Sequence, residues 1–264
     1  MNVLAVDFIL SLFWLLMAAG VLLPGLFFVF DWRRHFLLDR FYLFGKLKTM
    51  SQERFVTDVP KRFFLHFYVL AVFVNIFLFS FGSSWSNGAI LFLLHICRRI
   101  YECSFVHQWN QSSRMSLIHY LVGLLHYPAV ALTMIVDGSI GNVKFHSPIN
   151  DVLGLIIFLY ANYVQYRVHD ALANTRQQKK NNEIYPIPTG FWLFDYFSCP
   201  NYIAEIFIYL SFLLLSHQSL PMVSLTIWVF VNQSLSSIFS HRWYQKQYGR
   251  AYPQTRSAIL PFIF

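Results

Sequence analysis

Asn162, Gln165, His169 and Arg176 recur at three-, four- and seven-residue intervals, so on a helix they share one face. The run around them is apolar enough to cross a bilayer. Amide, imidazole and guanidinium groups are costly in hydrocarbon and usually functional there, so such a stripe builds a polar pocket within a membrane. A second set, His95, Arg98, Arg99 and Glu102, follows a short apolar stretch. Arg98 and Glu102 are one turn apart and can pair within the helix, or the arginines can snorkel to an interface. Alternatively the guanidiniums form an anion clamp, with His95 on the same face as Glu102. In a third set, Pro200 suits a first helical turn, and Asn201 and Glu205 share a face one turn apart. Free amides at that helix start would favour an anion, whereas a cap with a dipole-compensating acid is the plainer alternative. Glu205 sits a turn too deep for a simple cap.

The elements that carry these residues are membrane spans. Apolar residues make up 56% of the chain and charged residues only 12%, against roughly 25% in an ordinary soluble domain. Mean hydropathy is +0.47. Val3–Phe30 contains one acidic residue, Asp7, and no basic start, so it reads as a retained first span rather than a cleaved signal. Further apolar runs lie at about 63–82, 88–107, 116–136, 148–170, 200–216 and 221–240, predicting an all-α, multi-pass membrane protein of about seven helices. The chain reads as one integral membrane domain, residues 1–264, without repeats or a soluble module.

Twenty basic against twelve acidic residues give a net charge of +8, which on a membrane protein points to cytoplasmic loops facing anionic headgroups rather than to nucleic acid. The segment after the first span holds Arg33, Arg34, Arg40, Lys46, Lys48, Arg54, Lys61 and Arg62. Arg176, Lys179 and Lys180 follow the fifth span, and Arg242, Lys246, Arg250 and Arg256 follow the seventh, while the opposite side offers only Lys144. The N-terminus is therefore expected to be lumenal or extracytoplasmic, and the basic loop and C-terminal tail cytoplasmic. The sequon at Asn110 would face the cytoplasm, and the one at Asn232 lies within the last span.

Between the fifth and sixth spans, residues 181–196 are rich in proline, glycine and aromatics and will not form a regular helix. They read either as an interfacial aromatic belt or as a lid over a ligand. The basic and aromatic tail from Ser240 reads as a juxtamembrane anchor, and its apolar end, Leu260–Phe264, as a segment that packs back onto the protein. Cys97, Cys103 and Cys199 match neither disulfide nor zinc spacing and are expected as free thiols. The histidines are scattered rather than at metal spacing, so no metal is expected. A Rossmann fingerprint, a Walker loop, a nucleophile elbow and a zinc motif are all missing. Any dinucleotide must bind without a Rossmann domain.

From Gln165 to Phe264 the chain resembles the steroid 5-alpha-reductase superfamily. The resemblance rests on Tyr185-Pro-Ile-Pro-x-Gly, Tyr196-Phe-Ser-Cys-Pro-Asn-Tyr-Ile-Ala-Glu-Ile, His241-Arg-Trp-Tyr, Tyr252-Pro-x-x-Arg and Pro261-Phe-Ile-Phe. Asp58-Val-Pro-Lys-Arg-Phe-Phe-Leu-His-Phe-Tyr and Cys97-Arg-Arg-Ile-Tyr-Glu-Cys look like its polyprenol reductase branch, which saturates the alpha-isoprene unit of polyprenoids for dolichol synthesis, a requirement of protein N-glycosylation. The resemblance implies a seven-helix reductase of the endoplasmic reticulum membrane that uses NADPH, with residues 165–264 as the cofactor-binding region. By motif it assigns cofactor contacts to Gln165, His169, Arg176, Tyr185, Asn201, Glu205, His241 and Tyr244, and Arg99 matches a family arginine. Asp58 falls where steroid-reducing relatives carry a glutamate, and Ile96 where they carry a tyrosine after the histidine.

Residue chemistry agrees with this cofactor. Arg98, Arg99, Arg176 and Arg242 suit its phosphates, because guanidinium matches phosphate bidentately. Hydride transfer to an alkene needs conjugation to a carbonyl, so polyprenal is the expected acceptor rather than an unactivated allylic alcohol. Asp58, Tyr101 and Glu102 are the candidates for the polar end where the carbonyl is held. The rivals are a reductase of 3-oxo-4-ene steroids or trans-2-enoyl thioesters, and a lipid receptor or transporter without enzymatic activity.

Overall fold

The computed structural model describes residues 3–30, 58–80, 87–109, 113–139, 147–178, 185–216 and 218–259. Seven long helices occur among them, each at one of the expected runs: α1 (Val3–Phe30), α2 (Phe64–Ser80), α3 (Asn87–Tyr101), α4 (Leu117–Ser139), α5 (Pro148–Gln177), α6 (Pro200–Leu215) and α7 (Leu220–Tyr248). Leu4–Leu26, Lys61–Ser80, Leu117–Gly138 and Leu220–Ala251 are long and apolar enough to cross a membrane, and Pro200–Leu215 is a shorter apolar helix. The protein is an all-α, multi-pass membrane protein. The basic loop from Arg33 to Arg54, and Asn110, Lys144, Lys179, Lys180 and Leu260–Phe264, lie outside the described residues.

Local chemistry sets the helix ends. Ser147 caps α5 by accepting the Ile149 amide at 3.3 Å, with Pro148 in the first turn. α6 and α7 also carry proline in the first turn, at Pro200 and Pro221. α7 stops at Gly249, whose φ of +53° is a conformation that favours glycine. Two helices run further than their apolar runs. α5 reaches Gln177, so Arg176 stays on the stripe, and α7 reaches Tyr248, so His241, Arg242 and Tyr244 are helical rather than part of a loose tail. Two three-residue strands, β1 (Asp58–Pro60) and β2 (Arg114–Ser116), pair antiparallel with Asp58 opposite Ser116.

α5 is inverted relative to a helix in water. Ile149, Val152, Ile156, Leu159 and Tyr163 are exposed, whereas Gln165 and His169 are buried. Its polar face turns into the bundle and its apolar face outward, the arrangement that hydrocarbon surroundings favour, although this helix is not one of the four long and apolar enough to cross a membrane. α5 lies against α6, where a Cβ on Gly154 would come 2.7 Å from Leu215 Cγ and 3.2 Å from the Ser211 carbonyl. Glycine is needed for that approach. α1 packs on α7 and meets α4 through Trp14, whose Nε1 donates to Thr133 Oγ1 at 3.0 Å. α4 joins the start of α7 where the Ser219 amide donates to Asp137 Oδ1 at 3.1 Å.

Candidate functional site

The polar stripe of α5 meets the charged end of α3 around one carboxylate. Glu102 is 0% exposed and accepts from both Arg98 and Arg99, and its Oε2 lies 2.8 Å from His169 Nδ1. The anion clamp foreseen from the sequence is thus filled by the protein's own acid. Two guanidiniums without that acid would stand uncompensated in an apolar bundle. Arg99 also donates to the Tyr68 hydroxyl from Nε at 3.1 Å and Nη2 at 3.0 Å. Arg98 donates from Nε to Asn162 Oδ1 at 3.0 Å and from Nη2 to Gln165 Oε1. Gln165 passes the polarity on, because its Nε2 donates to Glu205 on α6 and lies 3.5 Å from the Asn201 carbonyl. His95 Nε2 is buried without a hydrogen-bond partner, 4.0 Å from Glu205 Oε1.

The histidines are less scattered in space than in sequence. Glu102, His107 and His169 bring their ligand atoms within 4.8 Å of one another, close enough for a metal ion. The reason spacing misses this is that a π-helical turn, Glu102–Val106, returns His107 towards α5. Arg99 Nη1 lies 2.7 Å from His169 Nδ1, so the guanidinium already supplies the cation here. A metal ion would meet its repulsion.

Glu205 opens onto a cavity of about 500 Å³ between α1, α2, α4, α6 and α7. Its wall is mostly carbon, from residues such as Phe64, Phe67 and Phe239, with polar points that include His126, Tyr127, Tyr209 and Glu205, and Lys61, His119, Tyr202, Asn232, Gln233 and Ser236 also line it. Asp58, Tyr101 and Glu102 are not among the lining residues. Tyr101 is 51% exposed beside the exposed Phe105, with ring centroids 5.5 Å apart. One helical residue corresponds to about 100° of rotation, so the turn that aims Glu102 inward carries Tyr101 to the outside. That removes Tyr101 from the polar end assigned to it. Asp58 is half-buried in β1, opposite Ser116. His126 and Tyr209 were missed because an isolated histidine or tyrosine in an apolar run has no spacing signal.

The remaining cofactor candidates gather around the linker and tail. Ser198 Oγ lies 2.6 Å from His241 Nδ1 and 2.6 Å from Tyr252 Oη. Tyr244 stacks on Tyr252 at 5.5 Å, and burial pushes the Tyr252 phenol, beyond the last span, above its ordinary pKa. Tyr185 is held by Ser113 at 3.2 Å, and its carbonyl accepts from Tyr248 at 2.7 Å. Arg176 donates to the Gln108 carbonyl at 3.2 Å, and Arg242 to the Val29 carbonyl of α1 at 2.9 Å. The described part of the tail docks on the linker: Ser257 donates to the Tyr196 carbonyl at 2.8 Å and its carbonyl accepts from Ser198 at 3.0 Å, while Leu260–Phe264, the end expected to pack back, lie outside the described residues.

Arg256, a tail charge that also closes the Tyr252-Pro-x-x-Arg motif, had no role assigned to it from the sequence. It is 7% exposed, donates to the Pro188 carbonyl at 3.0 Å, and keeps Nε and Nη1 without hydrogen-bond partners. A buried guanidinium with two idle donors is suited to a phosphate. Together with the idle His95 Nε2 near Glu205, it gives a donor set that fits a large ligand with an anionic part and a polar reactive end. The three cysteines are free thiols.

A family model described as 3-oxo-5-alpha-steroid 4-dehydrogenase matches residues 127–264. The chain is 31% identical to a polyprenal reductase of Ailuropoda melanoleuca, with 99% of this chain and 93% of that protein covered. It is 31% identical to a polyprenal reductase of Homo sapiens over 78% of each chain, and 32% identical to one of Caenorhabditis elegans over 66% of this chain and 59% of that protein.

Proposed function

The chain belongs to the steroid 5-alpha-reductase family, an oxidoreductase family acting on carbon–carbon double bonds with a nicotinamide cofactor, and from that premise we propose that it reduces the alpha-isoprene double bond of polyprenal with NADPH. The observation that carries this reading is the bonded series Arg98–Gln165–Glu205, which runs from a buried cationic cluster to the edge of an apolar cavity. A long isoprenoid aldehyde needs such a site, with carbon walls for the chain and polar groups at one end. When bound, the cofactor supplies the hydride.

Glu205, Gln165 and Asn201 are assigned to its reactive end, where Gln165 holds the Glu205 carboxylate in place. Arg256, Arg176, Tyr185, His241 and Tyr244 are assigned to its anionic part, with the two idle nitrogens of Arg256 as phosphate donors. Arg98, Arg99 and His169 act through Glu102: they fix the end of α3 against α5 and so position Gln165. Asp58 holds the β1–β2 pairing beside the cavity. We assign one reductase domain with seven spans in the endoplasmic reticulum membrane, its N-terminus lumenal and its basic loops and tail cytoplasmic. The lysine and arginine distribution supports that orientation.

Incubation of the purified protein with NADPH and either polyprenal or testosterone, with products identified by mass, tests the assignment. A product two hydrogens heavier from polyprenal alone is expected. Reduction of testosterone alone would move the substrate to the steroids, and NADPH consumption with neither would remove the reductase reading.

A further inference from the structure

We infer that Tyr209, set by a Trp228–His126 relay, is the group that donates a hydrogen bond to the substrate carbonyl. The directions of the bonds follow from the chemistry of the donors. Trp228 Nε1 lies 3.2 Å from His126 Nδ1, and an indole nitrogen only donates, so His126 Nδ1 accepts. The neutral ring then carries its proton on Nε2. That nitrogen lies 3.0 Å from the Tyr209 hydroxyl, which therefore accepts. Tyr209 keeps its own proton for another partner, and its side chain lines the cavity.

Position supports the same role. Tyr209 follows Glu205 by one turn of α6, and both line the cavity, so they share a face. The other phenols nearby are committed differently: Tyr68 accepts twice from Arg99, Tyr127 shares a hydrogen bond with Tyr68, and Tyr202 shares one with Ser240. His126, Tyr209 and Trp228 are packed together, with the Tyr209 ring centroid 6.1 Å and the Trp228 centroid 6.5 Å from that of His126. A phenol fixed in this way loses little entropy on meeting a carbonyl, and its surroundings of low dielectric strengthen the bond.

This inference rests on the reductase reading. Addition of a hydride to the β carbon of an α,β-unsaturated aldehyde forms the new C–H bond and moves the alkene pair to between the α and carbonyl carbons. The carbonyl pair then moves onto oxygen, as an enolate. The Tyr209 O–H meets the negative charge that grows on that oxygen. A solvent proton delivered to the α carbon restores the carbonyl, so hydride plus proton account for the two added hydrogens.

Two measurements test it on the full-length protein with NADPH, or NADP⁺ for the second. Tyr209→Phe should lower kcat for polyprenal by about 10²–10³-fold, the range for loss of one donor to a developing oxyanion, with KM changed far less. His126→Leu should lower kcat in the same direction, and His126→Gln, which retains a donor towards Tyr209, should restore most of it. The second measurement reads no turnover: the carbonyl stretch of a ¹³C-labelled saturated isoprenoid aldehyde bound to the protein should lie at lower frequency in the wild type than in Tyr209→Phe. Unchanged kcat and an unchanged stretch in Tyr209→Phe would overturn the inference. Should that variant not fold, wild-type kcat and stretch in His126→Leu would overturn it equally. A wild type that reduces no polyprenal but still shifts the aldehyde stretch through Tyr209 would fail the reductase reading and keep the contact.

Discussion

Replacing Glu102 by Gln keeps the shape of the side chain and removes the charge on which the arginine cluster depends. In the native protein one fully buried carboxylate faces two guanidiniums and the His169 ring. Glu205 reaches the cluster only through Gln165, with its nearer oxygen 4.0 Å from His95. Without the Glu102 charge, Arg98 and Arg99 stand side by side with no directly bonded acid. Breaking a buried ion pair by removing one partner costs about 3–5 kcal/mol, because the remaining charge has no solvent to turn to. For a chain of 264 residues, at about 2–4 °C per kcal/mol, this corresponds to a fall in Tm of about 6–20 °C. Thermal unfolding of the purified protein in detergent, followed by tryptophan fluorescence, reads it directly. The double variant Arg98→Gln, Glu102→Gln restores the balance of charge and should recover part of the loss. A single variant that melts within about 2 °C of the wild type would refute the placement of Glu102 as the directly bonded counter-ion of both arginines among the described residues.

Arg256→Ala should weaken NADPH binding by about ten- to a hundredfold, as loss of a charge-assisted contact does, measured by cofactor fluorescence; an unchanged Kd would leave Arg256 as a strut for Pro188. Gly154→Ala should destabilise by about 1–3 kcal/mol in thermal unfolding, since its Cβ has no room beside Leu215, and a second change, Leu215→Ala, should relieve it; a Gly154→Ala variant as stable as the wild type would mean that α5 and α6 sit further apart. Tyr101→Phe should keep kcat within about twofold, because its ring faces outward and a typical surface change has little effect; a hundredfold loss would return it to the chemistry.

The length of the apolar runs was enough to find the seven helices, and periodicity the inward face of α5, because a helix that turns amides and imidazole inward leaves a stripe at a spacing of 3.6. The Arg98–Glu102 bond was legible for the same reason, as an i,i+4 pair. What spacing could not carry is which helix lies beside which. The Arg99–Glu102 pair, at i,i+3, was legible in the same way, whereas that Glu102 also takes His169 depends on α3 lying against α5, and that Gln165 reaches Glu205 depends on α5 lying against α6. Three-residue strands such as Asp58–Pro60 are too short to show a period of two. His126 and Tyr209 gain their meaning only from a donor on a third helix, Trp228. The apparent tail was misread at His241–Tyr248 because its basic and aromatic residues suggested an anchor at the membrane surface, whereas α7 continues and Tyr185, Ser198 and Tyr252 cover it.

The pairing of α1 with α7 sets an order of assembly. The Val29 carbonyl waits for Arg242, and Gly25 fits against Leu235, partners more than two hundred residues later. During synthesis α1 enters the bilayer long before its neighbour exists. It can wait there because its surface is apolar on nearly every side, with Leu4, Phe8, Leu12, Leu16 and Leu23 all exposed even in the finished bundle. α5 and α6 follow one another along the chain, separated only by residues 178–199, and can dock once both have emerged. The wall that Trp228, Val229 and Phe239 supply is missing until α7 is made, so the cavity is the last part of the bundle to be completed.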